Sequence, residues 1–323
     1  MDTYKNGKIS FYHDDAMNLY DKWETPTIII SDGPYGISGF KGDLYSYKDL
    51  ANWYEPHIAI WTEKSTPQTT LWFWNTEIGW ASVHPILEKY GWVYKCCNIW
   101  NKGKSHIAGT TNTKTLTKLP ICTEVCVQYV LAPKFMINDK TLTMQEWLIH
   151  EWTRTGLPFS KTNLACGVVD AATRKYFTKC HLWYKPPVDA FTKIVEYANK
   201  YGKKEGVPYF SINGKTPLSG DEWKKLSPKF YCKFGVTNVW STPQLSGNER
   251  IKKGTKAVHL NQKPLSLIEQ IIEMSSDEDD VIWDPFAGLA TTAVACNKLN
   301  RICFLSEIDE NVYMEAIKRI LSL

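Results

Sequence analysis

At 323 residues, with 43% hydrophobic and 22% charged residues, the chain can bury a substantial core as one large domain or two. A formal charge of only +4 excludes a polycation, so any nucleic-acid surface must come from local clusters of Lys and Arg. No run of about eighteen apolar residues is present to span a membrane, and the first residues lack the basic-then-apolar build of a signal peptide. The nine scattered cysteines show no paired zinc-type spacing and read as core thiols, so no metal is expected, and the compartment expected is a reducing cytoplasm.

In chain order, Thr27-Ile28-Ile29-Ile30 predicts a buried strand over residues 27–31 that ends at Asp32-Gly33-Pro34-Tyr35. Leu50, Trp53, Tyr54, His57, Ile58 and Trp61 recur at helical spacing, which predicts an amphipathic helix over 47–64. Strands follow at 70–74 and 92–100, with a helix over 81–90 between them that Gly91 stops. Residues 101–120 are polar and read as a loop, and 124–131 read as a fourth strand. This alternation predicts a mostly parallel sheet. The rhythm breaks near residue 140, where Lys, Gly and Pro rise, and returns after His259. A helix over 264–274, a strand over 281–283, a helix over 291–299, a strand over 303–305 and a helix over 310–321 close the chain. The expected organisation is one domain built from residues 1–139 and 257–323, interrupted by an insert over 140–256. The 14 Trp and 17 Tyr are expected mostly in the core, in numbers that also suit base stacking.

Two motifs sit where predicted strands end, the place ligands bind in open α/β sheets. The second is Asp284-Pro285-Phe286-Ala287-Gly288-Leu289-Ala290-Thr291-Thr292. Gly288 lets backbone approach a ligand closely, and Thr291 and Thr292 can cap the following helix and bond a carboxylate at its N-terminus. Glu307, about twenty residues on and just past a strand, is placed to bind a ribose diol. His259-Leu260-Asn261-Gln262-Lys263-Pro264 precedes this motif, with Pro264 at the start of a helix.

Together these segments resemble the DNA amino-methyltransferases that modify adenine N6 or cytosine N4, in the motif order of their beta class. The resemblance covers both ends of the chain. It implies an α/β, Rossmann-like, S-adenosylmethionine-dependent methyltransferase fold, with a mostly parallel sheet, helices on both faces and an inserted target-recognition region. It implies that Asp284, Pro285, Phe286, Gly288, Thr291, Thr292 and Glu307 hold S-adenosylmethionine, with His259, Gln262, Lys263 and Pro264 walling its methionine end. It also implies that Asp32, Gly33, Pro34 and Tyr35 are the catalytic tetrapeptide. There the Asp32 carboxylate and the Gly33 carbonyl accept hydrogen bonds from the target amino group, whose lone pair is otherwise delocalised into the base. Tyr35 stacks on the base, worth roughly 1–3 kcal/mol toward extruding it from the duplex. An Asp opening the tetrapeptide favours adenine N6 over cytosine N4. Two departures stand out: Gly33 replaces the family's first proline and Ala290 its second glycine. Without the proline ring the catalytic loop is expected to be more flexible before DNA binds. Ala290 is expected to be tolerated on helical backbone, and both departures keep open a non-catalytic DNA-binding protein with a degenerate site.

Within the insert, residues 157–176 resemble a helix-turn-helix, with a turn at Gly167-Val168 and a second helix from Ala171 carrying Thr173, Arg174 and Lys175 into a major groove. Arg154, Lys161, Lys179 and His181 are further basic or titratable residues there, followed by the Lys224-Lys225 and Arg250-Ile251-Lys252-Lys253 clusters. The expected DNA contacts are Arg154, Lys161, Thr173, Arg174, Lys175 and Lys179. The expected partners are double-stranded DNA, a second copy of the chain and a cognate restriction endonuclease, at the nucleoid.

Overall fold

The computed structural model describes residues 2–38, 42–103, 115–204, 206–245, 249–254, 256–259 and 261–322. Much of the loop expected over 101–120 therefore lies outside the described residues. The chain forms two compact units, one of residues 1–131 with 228–323 and one of residues 132–227. The second is shorter than the expected insert, because the chain from residue 228 onward groups with the first unit, where β9 pairs with β5.

The first unit opens with a hairpin that the apolar runs do not announce, β1 (Asp2–Asn6) and β2 (Ile9–His13). Next come β3 (Ile28–Ser31), buried along its length, α1 (Leu50–Lys64), β4 (Thr70–Asn75) and α2 (Glu77–Lys89). A 3-10 turn at Tyr47–Asp49 takes the place of the first turn expected for α1. The helix α2 begins before residue 81 because Thr76 caps it, its side chain accepting from the Gly79 amide at 3.1 Å. Then come β5 (Trp92–Asn101) and β6 (Thr123–Leu131).

The second unit holds the hairpin β7 (Phe135–Ile137) and β8 (Lys140–Leu142), then α3 (Met144–Arg154), α4 (Thr162–Cys166), α5 (Val188–Tyr201) and α6 (Gly220–Lys225). The first unit resumes with β9 (Val239–Trp240), the short pair β10 (Lys252–Lys253) and β11 (Lys256–Ala257), α7 (Leu265–Ser275), β12 (Val281–Asp284), α8 (Thr291–Leu299), β13 (Ile302–Glu307) and α9 (Glu310–Leu321).

Among the described residues the main sheet has nine strands in the order β1-β2-β13-β12-β3-β4-β6-β5-β9. β2, β13, β12, β3 and β4 run parallel, while β6 is antiparallel to both β4 and β5. Side chains alternate across the sheet. Ile28, Ile30, Trp72, Trp74 and Ile282 pack on one face with Ile268 and Ile271 of α7, Ala293 of α8 and Ile320 of α9. Ile29, Leu71, Phe73 and Trp283 pack on the other with Tyr54, Ile58 and Trp61 of α1 and Val83 and Leu87 of α2.

This topology places chemistry on one edge. The parallel strands β13, β12 and β4 end at Glu307, Asp284 and Asn75, Asp32 directly follows β3, and the antiparallel β6 carries Glu124 as its second residue there. Among the described residues no helix is long and apolar enough to cross a membrane.

The second unit has its own core of Trp147, Trp152, Phe177, Phe191, Phe210 and Trp223. The helix-turn-helix expected in it is corrected. α4 spans five residues and is ended by Gly167 at φ 67°, and the expected recognition helix is a 3-10 segment, Thr173–Phe177. The reason is packing: Phe177 stacks on Trp152 with ring centroids 4.7 Å apart, and the Thr173 hydroxyl is buried, bonded to Thr162 at 2.8 Å and to Asn163. Arg154 is also drawn into the fold. It bonds the buried Glu151 at 2.8 Å and the carbonyls of Val207 and Pro208, and lies over the Tyr209 ring at 4.5 Å. Lys161, Arg174 and Lys179 are exposed, and Lys175 is half-buried.

Arg154→Ala strands a buried carboxylate and is expected to cost about 3 kcal/mol of stability. Lys161→Ala or Arg174→Ala should change stability by less than about 0.5 kcal/mol. Thermal unfolding followed by circular dichroism distinguishes them, and equal midpoints for all three variants would contradict the assignment of Arg154 to the core.

Candidate active site

A cavity of about 810 Å³ opens at this sheet edge in the first unit, lined by the loops after β3, β12 and β13 and by the segment before α7. Asp32, Gly33 and Pro34 line it together with Asp284, Pro285, Phe286, Gly288, Thr291, Thr292, Glu307, His259, Gln262 and Lys263. Motifs from opposite ends of the chain thus meet because β3 and β12 are paired neighbours, Ile28 opposite Ile282 and Ile29 opposite Trp283.

On one side, Gly288 adopts φ 51° and its amide donates to Glu307 Oε2 at 3.0 Å. The other Glu307 oxygen accepts from the Asp309 amide at 2.7 Å, which fixes the carboxylate while leaving lone pairs for further donors. Burial raises the Glu307 pKa above the ordinary carboxylate value, and burial pushes Asp284 up to about 7. The Thr292 hydroxyl donates to Asp284 at 2.5 Å. The Thr291 hydroxyl donates to the Lys263 carbonyl and accepts from Arg319 at 3.0 Å, so neither threonine caps α8 through its side chain. The cap position belongs to Ala290, which sits at φ 54° and not on the helical backbone expected for it. Gln262 clamps a neighbouring loop, donating to the Glu249 carbonyl at 2.9 Å and accepting from the Ile251 amide at 3.1 Å. Pro264 immediately precedes α7.

On the other side, Lys263 lines the cavity and also reaches the acid of the tetrapeptide. Its side chain is 5% exposed, and its ammonium contacts both Asp32 oxygens at 2.7 and 2.8 Å, the Tyr35 hydroxyl at 3.0 Å and Glu124 at 3.5 Å. Tyr35 donates to Asp32 at 2.8 Å and lies 3.2 Å from Glu124, which also pairs with Lys102. The result is a buried alternation of charge, Asp32, Lys263, Glu124, Lys102. Desolvation raises the Asp32 pKa against the pull of Lys263, while Lys263 and Lys102 overcome the burial of Glu124 and hold its pKa down. Its carboxylate partners hold the Lys263 pKa up despite burial. The Tyr35 ring is only 3% exposed, so the stacking face expected of it is covered.

The departure at Gly33 has a steric reason. A Cβ there would lie 2.6 Å from the Tyr54 hydroxyl and 2.8 Å from the Phe286 ring. Pro34 contributes its carbonyl to Tyr54 at 3.2 Å and to Asn75 at 3.0 Å. The Asp43 carboxylate binds the amides of Tyr35, Gly36, Ile37 and Leu44 at 2.8–3.0 Å and shapes the loop beyond. Asp43, Glu124 and Lys102 were not singled out from the sequence, nor were Asp14, Asp15, Trp53 and His57, which also line the cavity. Trp53 and His57 were read only as the apolar face of α1, where helical spacing conceals that Phe286 packs 5.4 and 5.2 Å from their rings. Burial pushes both His57 and His259 down to about 4, so both are neutral at pH 7.

A doubly covered, mostly parallel sheet with a glycine turn and an acidic strand end at its cavity defines a Rossmann-like class of α/β protein. A family model described as DNA methylase, the N6/N4 family, matches residues 27–319, and the chain belongs to that family. It is similar to the type II methyltransferase M2.MboI of Moraxella bovis, 30% identical over 146 residues, covering 45% of this chain and 42% of that enzyme. The chain spans between about a quarter and two fifths of the length of the curated relatives that head this comparison. In fold it resembles the M1.HpyAVI–SAM complex, with a TM-score of 0.50 at 16% identity, covering 96% of this chain and 98% of that one. It also resembles the cytosine-N4-specific PvuII DNA methyltransferase, with a TM-score of 0.54 at 11% identity and coverage of 96% and 85%.

Ala290→Gly relieves a left-handed alanine and is expected to stabilise the protein by about 1 kcal/mol, read as a higher thermal midpoint. For Asp284 the folded pKa lies above its unfolded value. Its contribution is therefore fully favourable below the unfolded pKa and is lost as pH rises through about 7. Asp284→Asn should accordingly be more stable than the parent at pH 8, with the gap closing toward pH 4. Midpoints measured across that range check the sign.

Proposed function

We propose that the chain is an S-adenosylmethionine-dependent DNA amino-methyltransferase that acts on a base extruded from the duplex, with adenine N6 as the acceptor. The observation that carries this reading is the convergence of Asp32, Gly288 and Glu307 on one cavity from adjacent parallel strands. A volume of about 810 Å³ suits a cofactor together with part of a base. Glu307, held by two backbone amides, has lone pairs left for ribose hydroxyls, and Gly288 keeps the turn clear of a side chain. The neutral His57 and His259 set no positive charge against a cationic donor.

When bound, S-adenosylmethionine supplies a methyl group activated on a sulfonium. The chain's own residues supply orientation. Asp32 and the Gly33 carbonyl accept the two amino N–H groups, localising the nitrogen lone pair toward the donor. Tyr35 acts through its hydroxyl, holding the Asp32 carboxylate. Adenine is preferred because an acid opens the tetrapeptide. The intact hydrogen bonding around Asp32 favours an enzyme over a degenerate binding protein.

Exposed Lys161, Arg174 and Lys179 supply phosphate contacts in this reading, each adding roughly 0.9 to the log–log salt slope of DNA binding. Double-stranded DNA is the partner, and a second copy of the chain, a cognate restriction endonuclease and a cytoplasmic, nucleoid location belong to the same reading.

Plasmid DNA incubated with the protein and S-adenosylmethionine, digested to nucleosides and analysed by mass spectrometry, should contain N6-methyladenine. N4-methylcytosine would reassign the base, and no methylated base with no donor binding by calorimetry would overturn the function. Asp32→Ala should abolish transfer while leaving donor affinity within about threefold, because the carboxylate meets the acceptor and not the donor. Full activity in that variant would refute the role of Asp32.

A further inference from the structure

We propose that Lys263 is a positioning residue that ties the donor wall to the acceptor carboxylate and leaves one lone pair of Asp32, on Oδ2, for the target amino group. This rests on the methyltransferase reading above. The segment carrying Lys263 belongs to the donor side. Its carbonyl is bonded by the Thr291 hydroxyl of α8, which Arg319 of α9 holds in turn. The preceding Gln262 is clamped to residues 249–251, and the His259 ring lies 3.6 Å from where a Cβ on Gly288 would stand. The Lys263 side chain leaves this wall and ends on the carboxylate that follows β3.

The lone-pair inventory then fixes the acceptor atom. Oδ1 of Asp32 accepts from Lys263 at 2.7 Å and from the Tyr35 hydroxyl at 2.8 Å, which fills its two in-plane positions. Oδ2 accepts from Lys263 at 2.8 Å and, among the described residues, from no second donor. The Asp32 side chain keeps 18% exposure and lines the cavity, so the carboxylate that carries this position is reached from it. A carboxylate free to rotate would offer its oxygens in many orientations; this one offers a single acceptor in a fixed plane.

Lys263 also governs the charge at the site. Around Asp32 stand Tyr35 on its own loop, Glu124 and Cys126 of β6, Tyr54 of α1 and Asp284 of β12, with Lys102 beyond Glu124. Of these neighbours only Lys263 brings a positive charge onto Asp32 itself. Without it two buried carboxylates face each other and the proton affinity of Asp32 rises. A protonated Asp32 is a weaker acceptor, so transfer falls on the acidic side.

The test compares Lys263→Met and Lys263→Arg with the parent, using labelled S-adenosylmethionine and unmethylated plasmid DNA across pH, with donor affinity measured by calorimetry. The expected result for Lys263→Met is donor affinity within threefold of the parent and an acidic limb of kcat moved up by at least one pH unit, a tenfold loss on that limb. Lys263→Arg should keep the parent's limb. An unmoved limb, or donor affinity falling in step with kcat, would overturn the proposal, the latter returning Lys263 to a donor-wall role. Should Lys263→Met fail to fold, Lys263→Gln, which keeps a donor but no charge, carries the same measurement. A parent protein that methylates no DNA overturns the proposed function and this inference together. An active parent with an unmoved limb overturns this inference alone.

Discussion

The parallel pairing of β3 with β12 is the contact on which the rest of the site depends. It joins segments from the two ends of the chain and sets both of their terminal loops on the same sheet edge. Because strands in a parallel sheet all point one way, each contributes its C-terminal loop to one edge, where backbone groups left unpaired by the ladder can meet a ligand. β13 adds Glu307 by the same rule. The antiparallel β6 adds Glu124 by the opposite one, from its first residues.

That edge carries a cost. Three charged groups, Lys263, Glu124 and Lys102, are buried beside the partly exposed Asp32, and isolated burial of each would cost several kcal/mol. Alternation of sign offsets the cost, yet an apolar replacement of similar volume would often be as stable. The arrangement is better understood through the acceptor it fixes than through the stability it adds. The same logic applies to Ala290, held at positive φ in a buried turn beside the cavity, where the fold tolerates strain.

Much of this was legible in the sequence, for identifiable reasons. Apolar runs such as Ile28-Ile29-Ile30 mark strands that are buried on both faces, and the glycine turn with Glu307 beyond it marks a ligand edge. The N-terminal hairpin escaped because its strand residues are mixed in polarity, and the start of α2 escaped because a Thr76 cap sets it and no apolar period does. In the second unit, Gly167 does make the expected turn. The residues after it serve the local core instead of a recognition helix, since Thr173, Tyr176 and Phe177 are all buried. Glu124 and Lys102 could not be found from local pattern, because the β4–β6–β5 pairing brings Glu124 to the site and Lys102 to Glu124. Lys263 was visible, but its reach is a property of side-chain length and rotamer that spacing does not record.

The central claim is that one cavity holds donor and acceptor groups together, with Lys263 bridging them. The most direct measurement is a crystal structure of the protein with S-adenosylhomocysteine bound. The account predicts the ribose at Glu307 and the Lys263 ammonium still within hydrogen-bond distance of both Asp32 oxygens. A ligand bound elsewhere, or a Lys263 side chain swung onto the ligand and away from Asp32, would contradict it.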